Sequence, residues 1–290
     1  MKKALTFLCA IICFSVQGAY LEGQAFDLAG DALSRMDSAF AFNSVSAEIT
    51  TEDAYYLGRA VAANVLAVYK PYTQNPDLTL YLNRICQTLV INSSLPALYN
   101  GYHVIILDSP DYNAFATSGG HIFVTKKLVS VATSEDMLAA ILAHEIAHIT
   151  LKHSISIIND VKFTNEMTSI ANRAAELSGT SETDKWLPYF RASVNKTVDV
   201  MMKNGYSQAQ EFDADREAAE LLLKTEYNPG ALVEVLEVLQ KTQSSQRTGF
   251  VTTHPSPAER ISNVKKLRIH NTHDTRRYRL SRFKDTFLLP

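Results

Sequence analysis

The sequence predicts a mostly helical α+β fold in which a short sheet lies beside one buried helix. Three observations carry this expectation. Tyr102 to Leu107 and His121 to Thr125 are short β-branched or aromatic runs bounded by turn residues. Met137 to Ile149 is apolar on almost every face, as a buried helix is. Most other patterned segments repeat their apolar residues at helical spacing.

The elements follow in order. Tyr55, Val61, Val65 and Val68 mark a helix from Thr51 that stops at Lys70-Pro71. A second helix runs from Pro76 or Asp77 to about Asn92. The first strand, Tyr102 to Leu107, ends at the turn Asp108-Ser109-Pro110, and Gly119-Gly120 opens the second. Ser134 caps the next helix, with Glu135 and Asp136 in its first turn, where acids complement the helix dipole. Ser154 to Ser178 and Trp186 to Lys203 read as helices separated by the polar stretch Gly179 to Asp184. Ser207 caps a helix carrying Glu211, Asp215 and Glu217. Asn228-Pro229-Gly230 is a turn into the stretch Ala231 to Lys241. Ser244 to Pro257 reads as a loop, and the chain beyond Lys265 as a basic, weakly patterned tail.

At 290 residues, with 46% hydrophobic and 20% charged residues, the chain has the composition of a folded soluble protein. A net charge of -2 makes no electrostatic case for a nucleic-acid partner. Lys2 and Lys3 precede the apolar run Ala4 to Val16, and Gly18 and Ala19 follow it. This is the pattern of a secretory signal peptide, and the run is shorter than the roughly 20 residues of a bilayer span. A retained anchor is the alternative. Ile12 stands where a small residue precedes a lipidated cysteine, so lipidation of Cys13 is not expected. Past that segment only Cys86 remains, which closes no internal disulfide and sits at helical spacing with Leu82, Ile85 and Leu89 as a packing residue. The expected organisation is a signal peptide at 1–18, a leader at 19–50, a folded domain at 51–267 and a basic tail at 268–290. The expected location is an exported compartment, the bacterial periplasm.

The chemistry lies in the buried helix. His144-Glu145-Ile146-Ala147-His148 fits the pattern H-E-x-x-H. Histidines four apart share a helix face, so both imidazoles can converge on one zinc ion. Glu145 can take a proton from a water that the metal acidifies. Glu211 is the candidate third ligand, completing a His-His-Glu set. Asp215 lies one turn further on the same face, in reach of a ligating imidazole. Read bare, Glu211 and Asp215 are equally well two acids on a charged helix.

Several segments, taken in order, resemble one family. They are Asn113-Ala114-Phe115-Ala116, Gly119-Gly120-His121-Ile122-Phe123-Val124, Ala140 to His148 with His153 after it, Glu211 to Arg216, and His254-Pro255-Ser256-Pro257 with Arg260. Together they resemble the zinc metallopeptidases of family M48, gluzincins that include the Ste-type, HtpX, Oma-type and BepA proteases. The likeness covers roughly Thr51 to Leu267. It implies a zincin-like domain with one zinc ion per chain, Glu211 as third ligand, and Asp215 as a catalytic carboxylate that orients a ligand or donates a proton. It further implies that Asn113 and the strand with Gly120, His121 and Ile122 form the rim and edge strand on which an extended substrate pairs. Arg260 is a candidate substrate-binding residue. His254 is a candidate fourth ligand that would hold the enzyme latent; a loop histidine fixed by its prolines is the alternative. His153 reads as structural or solvated, being off the metal-facing direction.

The expected reaction is zinc-dependent hydrolysis of peptide bonds in unfolded or misfolded envelope proteins, a quality-control task. The alternatives are a zinc-holding chaperone or adaptor with little turnover, and a metal-dependent hydrolase of non-peptide substrates. The tail, with Arg276, Arg277, Arg279, Arg282 and Lys284, is a candidate for peripheral contact with anionic lipid, against a solvated tail.

Overall fold

A computed structural model of the protein describes residues 51–98, 100–156, 194–195, 197–200, 205–243, 257–267, 269 and 276–287. The stretches expected to form a signal peptide and a leader, most of Ser154 to Ser207 and the stretch around His254 lie outside the described residues. The chain divides into two units, one containing residues 1–69 and 155–198, the other residues 70–154 and 199–290. The first unit includes helix α1 (Thr51–Val68), which buries Tyr55, Tyr56, Val61 and Val65.

The second unit holds the sheet and the H-E-x-x-H helix. Helix α2 (Pro76–Ile91) begins where Asn75 accepts a hydrogen bond from the Leu78 amide at 3.0 Å. Proline at the first position suits that start, because its missing N–H would have no helical partner there. The helix buries Leu82, Ile85, Cys86 and Leu89. Strands β1 (His103–Leu107), β2 (Ala114–Ala116) and β3 (His121–Thr125) follow, then a single turn, α3 (Lys126–Val129). Their order in the sheet is β1-β3-β2, with β1 parallel and β2 antiparallel to β3.

This order corrects one expectation. The strand from Gly120 is central: Ile122 pairs with Val104 on one side and Ala116 on the other. A backbone with partners on both flanks cannot accept a substrate strand, so Gly120, His121 and Ile122 do not form a pairing edge. Among the described strands, the edge lying along the H-E-x-x-H helix is β2. Its three residues are too few to show a period-2 pattern, which is why the sequence reads as two strands rather than three.

Helix α4 (Glu135–Thr150) starts where the Ser134 hydroxyl accepts from the Met137 amide at 3.2 Å. Every residue from Glu135 to Ile149 is buried, because α2, β2 and the helices α5 (Gln208–Lys224) and α6 (Gly230–Gln243) surround it. Each fully buried large apolar side chain contributes about 1.5–3 kcal/mol, so this packing dominates the unit. Helix α5 opens with a reciprocal cap between Ser207 and Gln210. Among the described residues, the unit also contains the helices α7 (Pro257–Lys266) and α8 (Arg276–Phe287).

Neither α7 nor α8 is legible as a helix in the sequence. In α8, Arg279 pairs with Asp136 at 3.0 Å and Arg282 with Glu135 at 2.6 Å. Glu135 also accepts from the hydroxyls of Tyr81 at 2.6 Å and Tyr227 at 2.9 Å. Two arginines of the tail are therefore engaged with the first turn of α4. Arg276 and Arg277 have side chains outside the described set. Among the described residues no helix is long and apolar enough to cross a membrane.

Candidate active site

The site forms where α5 packs across α4. His144 and His148 lie one turn apart on α4, and Glu211 enters from the first turn of α5. His144 Nε2 and His148 Nε2 are 3.1 Å apart, and each is 3.5 Å from an oxygen of Glu211. One donor atom from each residue falls within 4.8 Å of the others. Tetrahedral ligands bound at about 2.0–2.1 Å are separated by roughly 3.3 Å, so this triangle fits a zinc ion.

Charge argues the same way. Glu145, Glu211 and Asp215 are at most 1% exposed, and Arg260, also 1% exposed, is the cation packed against two of them. Among the described residues, the three carboxylates, when ionised, and one guanidinium carry a formal charge of -2, the sign that a divalent cation would offset. Burial and the Arg260 charge depress the pKa of His144, but the carboxylates of Asp215 and Glu211 outweigh both and raise it. The pocket thus favours positive charge at His144.

Each candidate ligand is held by further contacts. His144 Nδ1 lies 3.1 Å from Asp215 Oδ1. Donating that N–H to a carboxylate leaves Nε2 with its lone pair directed at the centre. Asp215 in turn accepts two bonds from Arg260, Nε at 2.8 Å and Nη2 at 2.7 Å. Burial alone would raise the Asp215 carboxyl; the adjacent guanidinium prevails and holds it below the ordinary carboxylate range. Arg260 Nη1 reaches Glu211 Oε2 at 2.8 Å. Arg260 comes from α7, where Pro257 at the first position sets the helix start.

Glu145 is fully buried beside His144. Both border, with Arg260 and the apolar Leu232, Val235 and Leu236, a void of about 10 Å³. That is room for about one water molecule.

At the other candidate ligand, His153 Nδ1 lies 2.9 Å from His148 Nδ1, and the Tyr206 ring stacks on His148 with centroids 4.1 Å apart and planes at 17°. Burial, chiefly, holds the His153 pKa below its ordinary value. The Tyr206 hydroxyl is pushed up by burial and by the nearby Glu145 and Glu211, so it stays protonated. Sequence reasoning missed both residues. Five positions along a helix do not share a face, and Tyr206 belongs to no motif.

The remaining candidates divide. Asn113 is buried at the start of β2, with its amide donating to Thr125 Oγ1 at 3.1 Å and its carbonyl accepting from the Thr125 amide at 2.9 Å. His121 Nδ1 lies 3.2 Å from Thr117 Oγ1 on the central strand. Gly120 has φ +85°, and a Cβ there would stand 2.3 Å from the Gly101 carbonyl oxygen, so it answers to a backbone approach. Arg260 is enclosed with Asp215 and Glu211 rather than standing at a rim. His254 lies outside the described residues.

The family model for peptidase family M48 matches residues 76–268. The β-barrel assembly-enhancing protease of Escherichia coli K12 is 26% identical over 197 residues, 67% of this chain and 40% of that protein. The mitochondrial metalloendopeptidase OMA1 of Schizosaccharomyces pombe is 28% identical over 188 residues, 64% of this chain and 52% of its own length. The metalloprotease LoiP of Escherichia coli is 25% identical over 155 residues, 53% of this chain and 58% of that protein. The chain thus spans about half the length of the curated relatives it matches.

Proposed function

The chain belongs to peptidase family M48, and from that premise we propose that it is a zinc-dependent endopeptidase. The carrying observation is the triangle of His144 Nε2, His148 Nε2 and the Glu211 carboxylate, whose 3.1–3.5 Å edges suit one tetrahedral zinc ion. Bound there, one per chain, zinc would supply Lewis acidity toward a peptide carbonyl and acidify a water.

This chain's own residues do the remainder. Glu145 takes the proton of the attacking water on its carboxylate and delivers it to the leaving amine nitrogen. Asp215 accepts the Nδ1–H of His144 and so fixes the tautomer that presents Nε2. Arg260 fixes Asp215 through two bonds and offsets the charge of Glu211. Asp215 therefore acts by orienting His144. An extended substrate would align along β2, the sheet edge beside α4, with Asn113 at its entrance.

The substrates proposed are unfolded or misfolded envelope proteins. Two things support this: backbone pairing carries little sequence preference, and one relative is named for enhancing β-barrel assembly. The signal-peptide pattern at residues 1–18 supports export to a periplasm.

The test compares wild-type protein with Glu145→Gln for zinc content and for casein cleavage, with and without chelator. Zinc in both, with chelator-sensitive cleavage in wild type alone, is the expected result. Wild type that binds no zinc under replete conditions overturns the reading. Zinc binding and full cellular function in Glu145→Gln would favour the zinc-holding chaperone.

A further inference from the structure

The two histidine ligands are supported by chemically different partners. Asp215 and Arg260 back His144, whereas His148 has an imidazole and a phenol ring beside it. The local backbone explains how a residue five positions on reaches back. Helix α4 caps at Leu151, and Lys152 then adopts φ 57°, in the left-handed region that reverses the chain. His153 is thereby turned against the last helical turn and is 7% exposed. Tyr206 arrives one residue before the Ser207 cap of α5, and its ring covers the face of His148. The same ring lies 5.8 Å from that of His153, at 51°.

We propose that His153 and Tyr206 are positioning residues for the ligand His148. His153 Nδ1 accepts the Nδ1–H of His148, and Tyr206 holds the imidazole plane by stacking. The inference rests on the zinc reading above. The atoms leave one consistent assignment. His148 Nε2 faces His144 and Glu211, so its proton sits on Nδ1, and the nitrogen 2.9 Å away must offer a lone pair. His153 is then the neutral tautomer with its proton on Nε2. A neutral imidazole accepts less strongly than a carboxylate, so His148 is the less electron-rich of the two ligands. Tyr206 adds apolar contact on one ring face and excludes water from that side.

Zinc affinity, measured by competition with a chromophoric chelator, tests this without relying on turnover. Partners of this kind contribute about 10–100-fold to metal affinity. His153→Leu and Tyr206→Ala should each lose affinity in that range, while His153→Asn, whose amide oxygen can accept the same N–H, should recover most of it. Cobalt(II) absorption bands should shift in His153→Leu and return in His153→Asn. Nitrogen-15 spectra of zinc-loaded wild type give a readout independent of variant folding. The expected pattern is Nδ1–H on His148 and Nε2–H on His153. Zinc-loaded wild type with the proton of His153 on Nδ1, or unchanged affinity in His153→Leu, overturns this inference and leaves the zinc site standing. Wild type that binds no zinc overturns the site itself.

Discussion

At the scale of single residues, Arg260 carries the most consequence for its position. A guanidinium that is 1% exposed and bonded to two carboxylates is expensive to remove, because the partners stay buried and uncompensated. Arg260→Leu should therefore destabilise the protein by about 3–5 kcal/mol. Arg260→Lys should cost less but still lower activity, since an ammonium cannot form the paired bonds to Asp215. Urea unfolding read alongside casein cleavage checks both; an Arg260→Leu midpoint equal to wild type would contradict the account. Cys86 gives a second prediction. It is fully buried, and burial pushes its thiol pKa up to about 12. Thiolate is the reactive form, so in protein lacking residues 1–18 a disulfide reagent should leave Cys86 unmodified at pH 8 and react only as pH nears 12 or the chain unfolds. Fast labelling of Cys86 in the native protein at pH 8 would show that the thiol is open to solvent.

Elements set what those residues can reach. Ser134 and Ser207 cap α4 and α5, and both caps are legible because a hydroxyl before a helical pattern has a defined task. The opposite end of α4 is less legible. A left-handed Lys152 in an ordinary sequence context carries no signal, yet it returns His153 to His148. Helix α8 raises a similar point. Its arginines look like a solvated basic tail in the sequence, whereas Arg279 and Arg282 engage the buried acids of α4. The two should differ in effect. Arg279 lies 8% exposed against Asp136 at 7%, so Arg279→Ala should cost about 3 kcal/mol. The Arg282 side chain is 57% exposed, and Glu135 keeps its two tyrosine hydroxyls, so Arg282→Ala should cost about 1 kcal/mol or less. Thermal unfolding of the two variants measures the contrast, and equal losses would refute it. In the sheet, Gly120→Ala should destabilise by roughly 1–3 kcal/mol, because φ +85° and the Gly101 carbonyl both oppose a side chain. A variant as stable as wild type by urea unfolding would mean that the turn yields freely.

At the scale of the molecule, metal and fold are linked. A cation that binds only the folded site stabilises it by about 4 kcal/mol at a thousandfold excess over Kd. Zinc should therefore raise the thermal midpoint of wild type, and Glu211→Gln should lose most of that rise; an equal rise in both would separate Glu211 from the metal. What the sequence alone determined is the H-E-x-x-H motif and the buried helix that carries it. H-E-x-x-H is a local pattern whose geometry follows from 3.6 residues per turn, and an all-apolar helix must be buried wherever it packs. The caps and the helical spacing of α1, α2 and α5 are local too, whereas Glu211 read bare is equally well an acid on a charged helix and stood out through the family resemblance. The tertiary structure alone decided which strand is central, since pairing depends on partners far along the chain and β2 is only three residues long. It also decided that Arg260, from a helix the sequence hides, closes on Asp215 and Glu211, and that His153 and Tyr206 meet at His148. Those contacts join residues with no shared period. Only the packing of α4, α5 and α7 brings them within hydrogen-bond or ring-stacking distance.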